Sequence, residues 1–155
     1  MNDLVLITSV LWIDLLVILF SKTGHLGTTI GTWYKEFGIT AVFSDCLILI
    51  LGIYIASYLF PNSSTLELIF YSIIIQIIHD VLFYMFIIVP LPRGSNRMID
   101  VFKDYANETS YKPIIADSMM IGSSVFLYKY LQNKPKDFVS FLGFLGFYLI
   151  TYLIY

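Results

Sequence analysis

The chain has 155 residues, of which 58% are hydrophobic and 13% charged, with 9 Lys+Arg against 11 Asp+Glu, a net charge of -2 and a mean hydropathy of +0.81. A soluble domain carries roughly 45–50% apolar and about 25% charged residues, so this composition leaves too little polar surface for a water-soluble globule and excludes that class. It also argues against nucleic acid as a partner, because phosphate binding needs clustered Lys/Arg and the chain has no basic block.

Crossing a ~30 Å hydrocarbon layer takes about 20 apolar residues in a helix, with about 17 as a tolerable minimum. Five stretches reach or approach that length: 4–20, 39–60, 66–89, 114–131 and 138–155. The runs are continuous where a β-barrel would alternate, so the expected fold is all-α: a polytopic transmembrane helix bundle of five spans in a single domain, 1–155. Met1-Asn2-Asp3 lacks a basic n-region, so the first stretch is expected to stay as a span. After it, Gly27-Thr28-Thr29-Ile30-Gly31 matches GxxxG but falls in a loop outside any apolar segment. Trp33, Tyr34, Phe60, Tyr128, Tyr130 and Tyr155 sit at predicted span ends, where an interfacial aromatic belt would place them.

Pro61-Asn62-Ser63-Ser64 marks a tight turn, and Pro90-Leu91-Pro92-Arg93-Gly94 stops the third span. Between spans three and four an amphipathic helix is expected over 96–109, capped by Ser95. Met98, Ile99, Phe102, Tyr105 and Ala106 form its apolar face; Asp100, Lys103, Asp104, Asn107 and Glu108 form the other. Its polar face is acidic, which favours a connector lying in the interface over a lipid-headgroup-binding element. The fourth stretch carries Asp117, Ser118, Gly122, Ser123 and Ser124, so it inserts only if its polar side faces protein.

In a five-span topology, Lys22, Lys35, Arg93, Arg97, Lys103 and Lys112 fall on one side and Lys129, Lys134 and Lys136 on the other. The positive-inside rule then puts the N-terminus outside or lumenal and the C-terminus inside. The sequons at Asn62 and Asn107 are expected to carry no glycan.

The chemistry concentrates in four aspartates inside apolar segments: Asp14, Asp45, Asp80 and Asp117. An ionised Asp at a helix centre costs roughly 2.5–3.5 kcal/mol, so these should face the bundle interior, be protonated or meet a cation. At about 1.5 Å per residue, Asp14 and Asp45 lie roughly 9 Å from the inner ends of their spans, Asp80 about 14 Å and Asp117 about 5 Å. All four therefore belong to the inner half of the membrane. Ala41, Asp45, Gly52 and Ala56 form a small-residue stripe that lets a helix approach closely. Gln76, His79 and Asp80 share a side by i, i+3 and i+4 spacing, and Asp117, Ser124 and Tyr128 are in phase. The candidate polar cluster is thus Asp14, Asp45, Gln76, His79, Asp80, Asp117 and Ser124. Aligning Asp14 with Asp80, and Asp45 with Asp117, suggests a weak tandem repeat of 1–60 and 66–131.

No HExxH, GxSxG, GxGxxG or GxxxxGK[ST] occurs, and Cys46 is a lone cysteine, read as a small buried hydrophobe. No enzyme activity, metal or cofactor is expected.

The string Trp33-Tyr34-Lys35-Glu36-Phe37-Gly38, with Ala41 and Asp45, Gln76, His79-Asp80, Phe83-Tyr84, Pro92-Arg93-Gly94, Asp100, Phe102-Lys103 and Tyr105-Ala106, resembles a family of small membrane proteins encoded by large DNA viruses of algae and amoebae. The resemblance runs from Trp33 to about Leu131. It implies residence in a host or virion membrane and brings no activity or binding residue.

Two functions follow as expectations. The first is an integral membrane protein of structural, assembly or accessory type, its aspartates hydrogen-bonded across helices. The second is a proton- or cation-conducting transporter or channel that uses the aspartate/histidine cluster. The expected partners are the lipid bilayer, and a second copy of the chain or another membrane protein.

Overall fold

The computed structural model describes residues 1–23 and 28–155. They form α1 (Asp3–Ser21), α2 (Thr28–Phe37), α3 (Ile39–Leu59), α4 (Thr65–Phe83), α5 (Arg97–Thr109), α6 (Lys112–Leu131) and α7 (Lys136–Ile154), with no strand among the described residues. A π-helical turn, Tyr84–Ile88, carries α4 onward, closed by the Val89 N–H on the Tyr84 carbonyl at 2.9 Å. Four helices are long and apolar enough to cross a membrane: α1, α3, α4 with its π turn, and α7. The helix over the fourth expected span, α6, has 20 residues but falls outside that set, since Asp117 and its Ser/Gly run dilute its apolar content.

Packing explains how α6 keeps a polar helix inside an apolar bundle. It lies against α1, α3 and α4, with Ile121, Ser124 and Val125 wholly buried. Lipid offers no hydrophobic drive between helices, so close approach and hydrogen bonds must hold them together. At Gly52 a Cβ would come within 3.0 Å of Ile121 Cδ1, so the small-residue stripe on α3 is where α6 nests.

Directions follow from contacts at the helix ends. The Asn2 N–H donates to Tyr128 Oη at 3.2 Å, and Tyr54 Oη donates to Asp3 Oδ1, so the start of α1 lies beside the late turns of α3 and α6. Both helices therefore run antiparallel to α1. The α7 helix runs parallel to it: a Cβ at Gly143 would meet Thr8 Oγ1 at 3.0 Å, one at Gly146 would meet Leu11 Cδ2 at 3.0 Å, and Trp12 Nε1 donates to the Leu142 carbonyl at 3.0 Å.

The connections α1–α3 and α4–α6 hold the two short helices, α2 and α5, which pack on each other. The Ser64 hydroxyl accepts from the Glu67 N–H while the Glu67 carboxylate accepts from the Ser64 N–H, a reciprocal cap that starts α4 directly after the Pro61 turn. Helix α5 is the expected amphipathic element, but Asn96 caps it, not Ser95: its side chain accepts from the Met98 and Ile99 N–H groups. Its apolar face packs on the bundle: Ile99 and Val101 are buried and Phe102 packs on Trp33, with ring centroids 4.8 Å apart. Lys103 Nζ donates to the Ile88 carbonyl, one of the carbonyls freed where the π turn ends.

Two further expectations are corrected. Thr28 to Gly31, expected as loop, open helix α2, while Gly27 lies outside the described residues. Trp33, Tyr34 and Tyr128 are not an interfacial belt but are 3%, 4% and 6% exposed, and Tyr130 and Tyr155 stay exposed.

Candidate functional site

Six helices, α1 to α6, contribute walls to one cavity of about 300 Å³. Of the seven residues picked out by sequence, Asp45, Gln76, His79, Asp80 and Asp117 line it. They come from α3, α4 and α6, converging because each sits on the inward face of its helix. Asp14 is wholly buried beside the cavity rather than on its wall. Ser124 is also wholly buried, two turns along α6 from Asp117, and its hydroxyl pairs with no described residue.

The polar groups differ in how completely they are satisfied. Asp14 Oδ1 accepts from Tyr34 Oη at 2.9 Å, and Asp45 Oδ2 accepts from Trp33 Nε1 at 3.0 Å. Asp80 Oδ1 accepts from Gln76 Nε2 at 2.8 Å and lies 3.1 Å from His79 Nδ1. Three buried acceptors pair with no described donor: Asp14 Oδ2, Asp80 Oδ2 and Gln76 Oε1. Asp117, half-buried on the cavity wall, accepts no hydrogen bond from the described residues. Carboxylate and amide oxygens in and beside this cavity thus keep acceptor capacity unmet.

The donors that serve Asp14 and Asp45 come from α2, which lies outside the cluster expected from sequence. A signal is present in the chain: Ile30, Trp33, Tyr34 and Phe37 follow i, i+3, i+4 and i+7 spacing, one apolar face of a short helix. Burial raises the Tyr34 phenol well above its ordinary pKa, and the nearby Asp45 and Asp14 carboxyls add to this. Burial likewise pushes Tyr105 up to about 12, with Asp117 contributing. Both phenols keep their protons at neutral pH, so neither competes with the carboxylates for cations, and Tyr34 donates to Asp14.

An aromatic group closes the end of the cavity where α2 and α5 meet. Trp33 packs on Phe37 at 5.0 Å and on Phe102, Phe83 meets Phe102 edge-on at 5.8 Å, and the His79 ring stacks on Phe83 at 5.7 Å. Neither Lys nor Arg lines the cavity. Chemically the site is an acidic, aromatic-walled pocket.

Comparison with protein-family models, curated proteins and solved structures finds no match to this chain. The functional reading therefore rests on the geometry.

Proposed function

We propose that this is a five-span integral membrane protein whose aspartate-lined cavity binds and passes on protons or small cations. The observation that carries the reading is the convergence of Asp45, Asp80, Asp117 and His79 on one cavity with buried acceptors left unmet and no Lys or Arg among its described walls. Intramembrane acids beside a histidine, facing a cavity, are the usual furniture of cation and proton pathways. Support for α6 as the fourth of the five spans comes from its antiparallel run beside α1 and the cover it receives from α1, α3 and α4. Helices α2 and α5 pack together, which groups Lys22, Lys35, Arg93, Arg97, Lys103 and Lys112 at one end and favours an N-terminus outside with the C-terminus inside.

The test is flux through proteoliposomes under a pH or cation gradient. Wild-type protein is expected to conduct, and Asp45→Asn with Asp80→Asn to abolish conduction while the protein stays monodisperse. Unchanged flux in that double variant would sink the proposal.

A second reading, a structural or accessory membrane protein, draws on the bonds that tie α2 to α1 and α3, Tyr34 to Asp14 and Trp33 to Asp45. Under it, the same double variant loses assembly or thermal stability and there is no wild-type flux to lose.

A further inference from the structure

A second cavity, about 460 Å³, lies between the π turn, α5 and the start of α6. It shares Asp80, Phe83, Phe102, Tyr105 and Asp117 with the first, so the two meet along a common wall. The rest of its lining is largely apolar, including Val81, Tyr84, Ile88, Ala106, Pro113 and Ile114. Val81 and Tyr84 belong to the outer surface of α4, where Leu82, Met85 and Phe86 are also exposed; this is the surface an apolar span turns to lipid. The π turn shifts the register of α4 beside this cavity, a distortion that recurs at binding sites.

Three features restrict the chemistry of an occupant. The shared wall offers two carboxylates, and neither cavity is lined by Lys or Arg, so the head must be cationic. Asp117 lines both cavities and accepts no hydrogen bond from the described residues, so a head carrying N–H groups would meet an open acceptor there. Phe83, Phe102 and Tyr105 stand beside the carboxylates, and aromatic faces attract ammonium groups.

We propose that the paired cavities form one site for an amphiphilic amine, a primary alkylammonium whose head lies between Asp80 and Asp117 and whose hydrocarbon occupies the lateral cavity, entered from the bilayer. This deepens the cation-handling reading of the same site and rests on it for the sign of the charge. The combined dimensions suit it: ligand sites are commonly about 300–1,000 Å³, mostly apolar, with a few convergent polar groups.

The probe is dodecylamine, titrated calorimetrically at pH 7 into the full-length protein in phosphatidylcholine nanodiscs, with protein-free nanodiscs as the blank. Saturable binding is expected, at least tenfold weaker for butylamine, which lacks the tail, and for dodecanol, which lacks the charge. Asp80→Asn and Asp117→Asn should each weaken dodecylamine at least tenfold. Ile114→Trp, which fills the lateral cavity, should weaken dodecylamine and leave butylamine unchanged. Dodecanol matching dodecylamine, or Ile114→Trp binding dodecylamine like wild type, overturns the assignment, and neither result depends on a carboxylate variant that folds. Butylamine matching dodecylamine also overturns it, in favour of a small free amine. If dodecylamine fails to bind while Asp45→Asn with Asp80→Asn still abolishes flux, the amine assignment falls and the cation pathway stands. If the wild type binds dodecylamine saturably and carries no flux, the amine site stands and the cation pathway falls.

Discussion

Tyr34 Oη donates a 2.9 Å hydrogen bond to Asp14 Oδ1, joining short helix α2 to α1 where the aspartate is 0% and the tyrosine 4% exposed. The pair is the only hydrogen bond that either carboxylate oxygen of Asp14 makes among the described residues, because Oδ2 has no partner. Together with the bond from Trp33 to Asp45, it turns a surface-length helix into a plug for the polar end of the bundle.

The bond predicts a particular pattern of non-additivity. Tyr34→Phe removes the one donor and leaves a buried carboxyl unmet, at a cost of about 1–3 kcal/mol. Replacing both partners by apolar groups removes the penalty along with the bond, so Tyr34→Phe with Asp14→Leu should be less destabilised than the sum of the single variants. Thermal unfolding in detergent across the four proteins measures this. Strictly additive losses would mean that the two side chains do not act as a pair.

Glu108 predicts a pH response at the other end of α2. Its carboxylate accepts from the Thr28 N–H and Oγ1, both at 2.8 Å, and from the Thr29 N–H at 2.9 Å, so α5 caps the start of α2 from across the fold. The bonds from Thr29 and Thr28 hold the carboxyl down at about 2, below its ordinary 4.5. A depressed pKa stabilises the folded form above the unfolded value, and that contribution fades as pH falls from about 4.5 towards 2. Protection of the α2 amides, taken relative to the intrinsic exchange rate at each pH, should fall over that window in the wild type, and Glu108→Gln should flatten the response. Identical pH profiles in the two proteins would remove Glu108 from this role.

Close packing of α7 on α1 predicts a size-dependent penalty. A Cβ at Gly146 would lie 3.0 Å from Leu11 Cδ2 and 3.4 Å from Trp12 Nε1. The first contact is with the end of a flexible side chain, so Gly146→Ala should be nearly tolerated. Gly146→Leu should push the helices apart, break the bond from Trp12 to Leu142, and cost about 1–3 kcal/mol. Equal melting temperatures for Gly146→Leu and wild type would contradict the parallel α1–α7 contact.

Which of these features are legible in the chain depends on the range of the interaction. Continuous apolar runs give helices from local composition alone, so the boundaries 39–60 and 66–89 lie close to those of α3 and of α4 with its π turn. The grouping of Gln76, His79 and Asp80 is legible too, because i, i+3 and i+4 spacing fixes it within one helix. Asn96 takes the place of Ser95 as the cap of α5 by a shift of one residue, where either side chain is chemically suited. The burial of Trp33 and Tyr34 is not legible, because an aromatic pair beside a span suits an interface as well as a core, and only a partner can decide between them.

By itself, the sequence determined the solvent. With 13% charge and long apolar runs, lipid and not water must cover this chain, and four acids within those runs must find something other than lipid to face. Only the tertiary structure decided what each acid meets. It set Asp14 and Asp45 against donors from α2, gave Asp80 a glutamine and a histidine, and left Asp117 on a cavity wall shared with a lateral pocket. Helical phase places a side chain on a face; which faces meet depends on how five long helices and two short ones pack, and that rests on contacts between residues far apart in the chain.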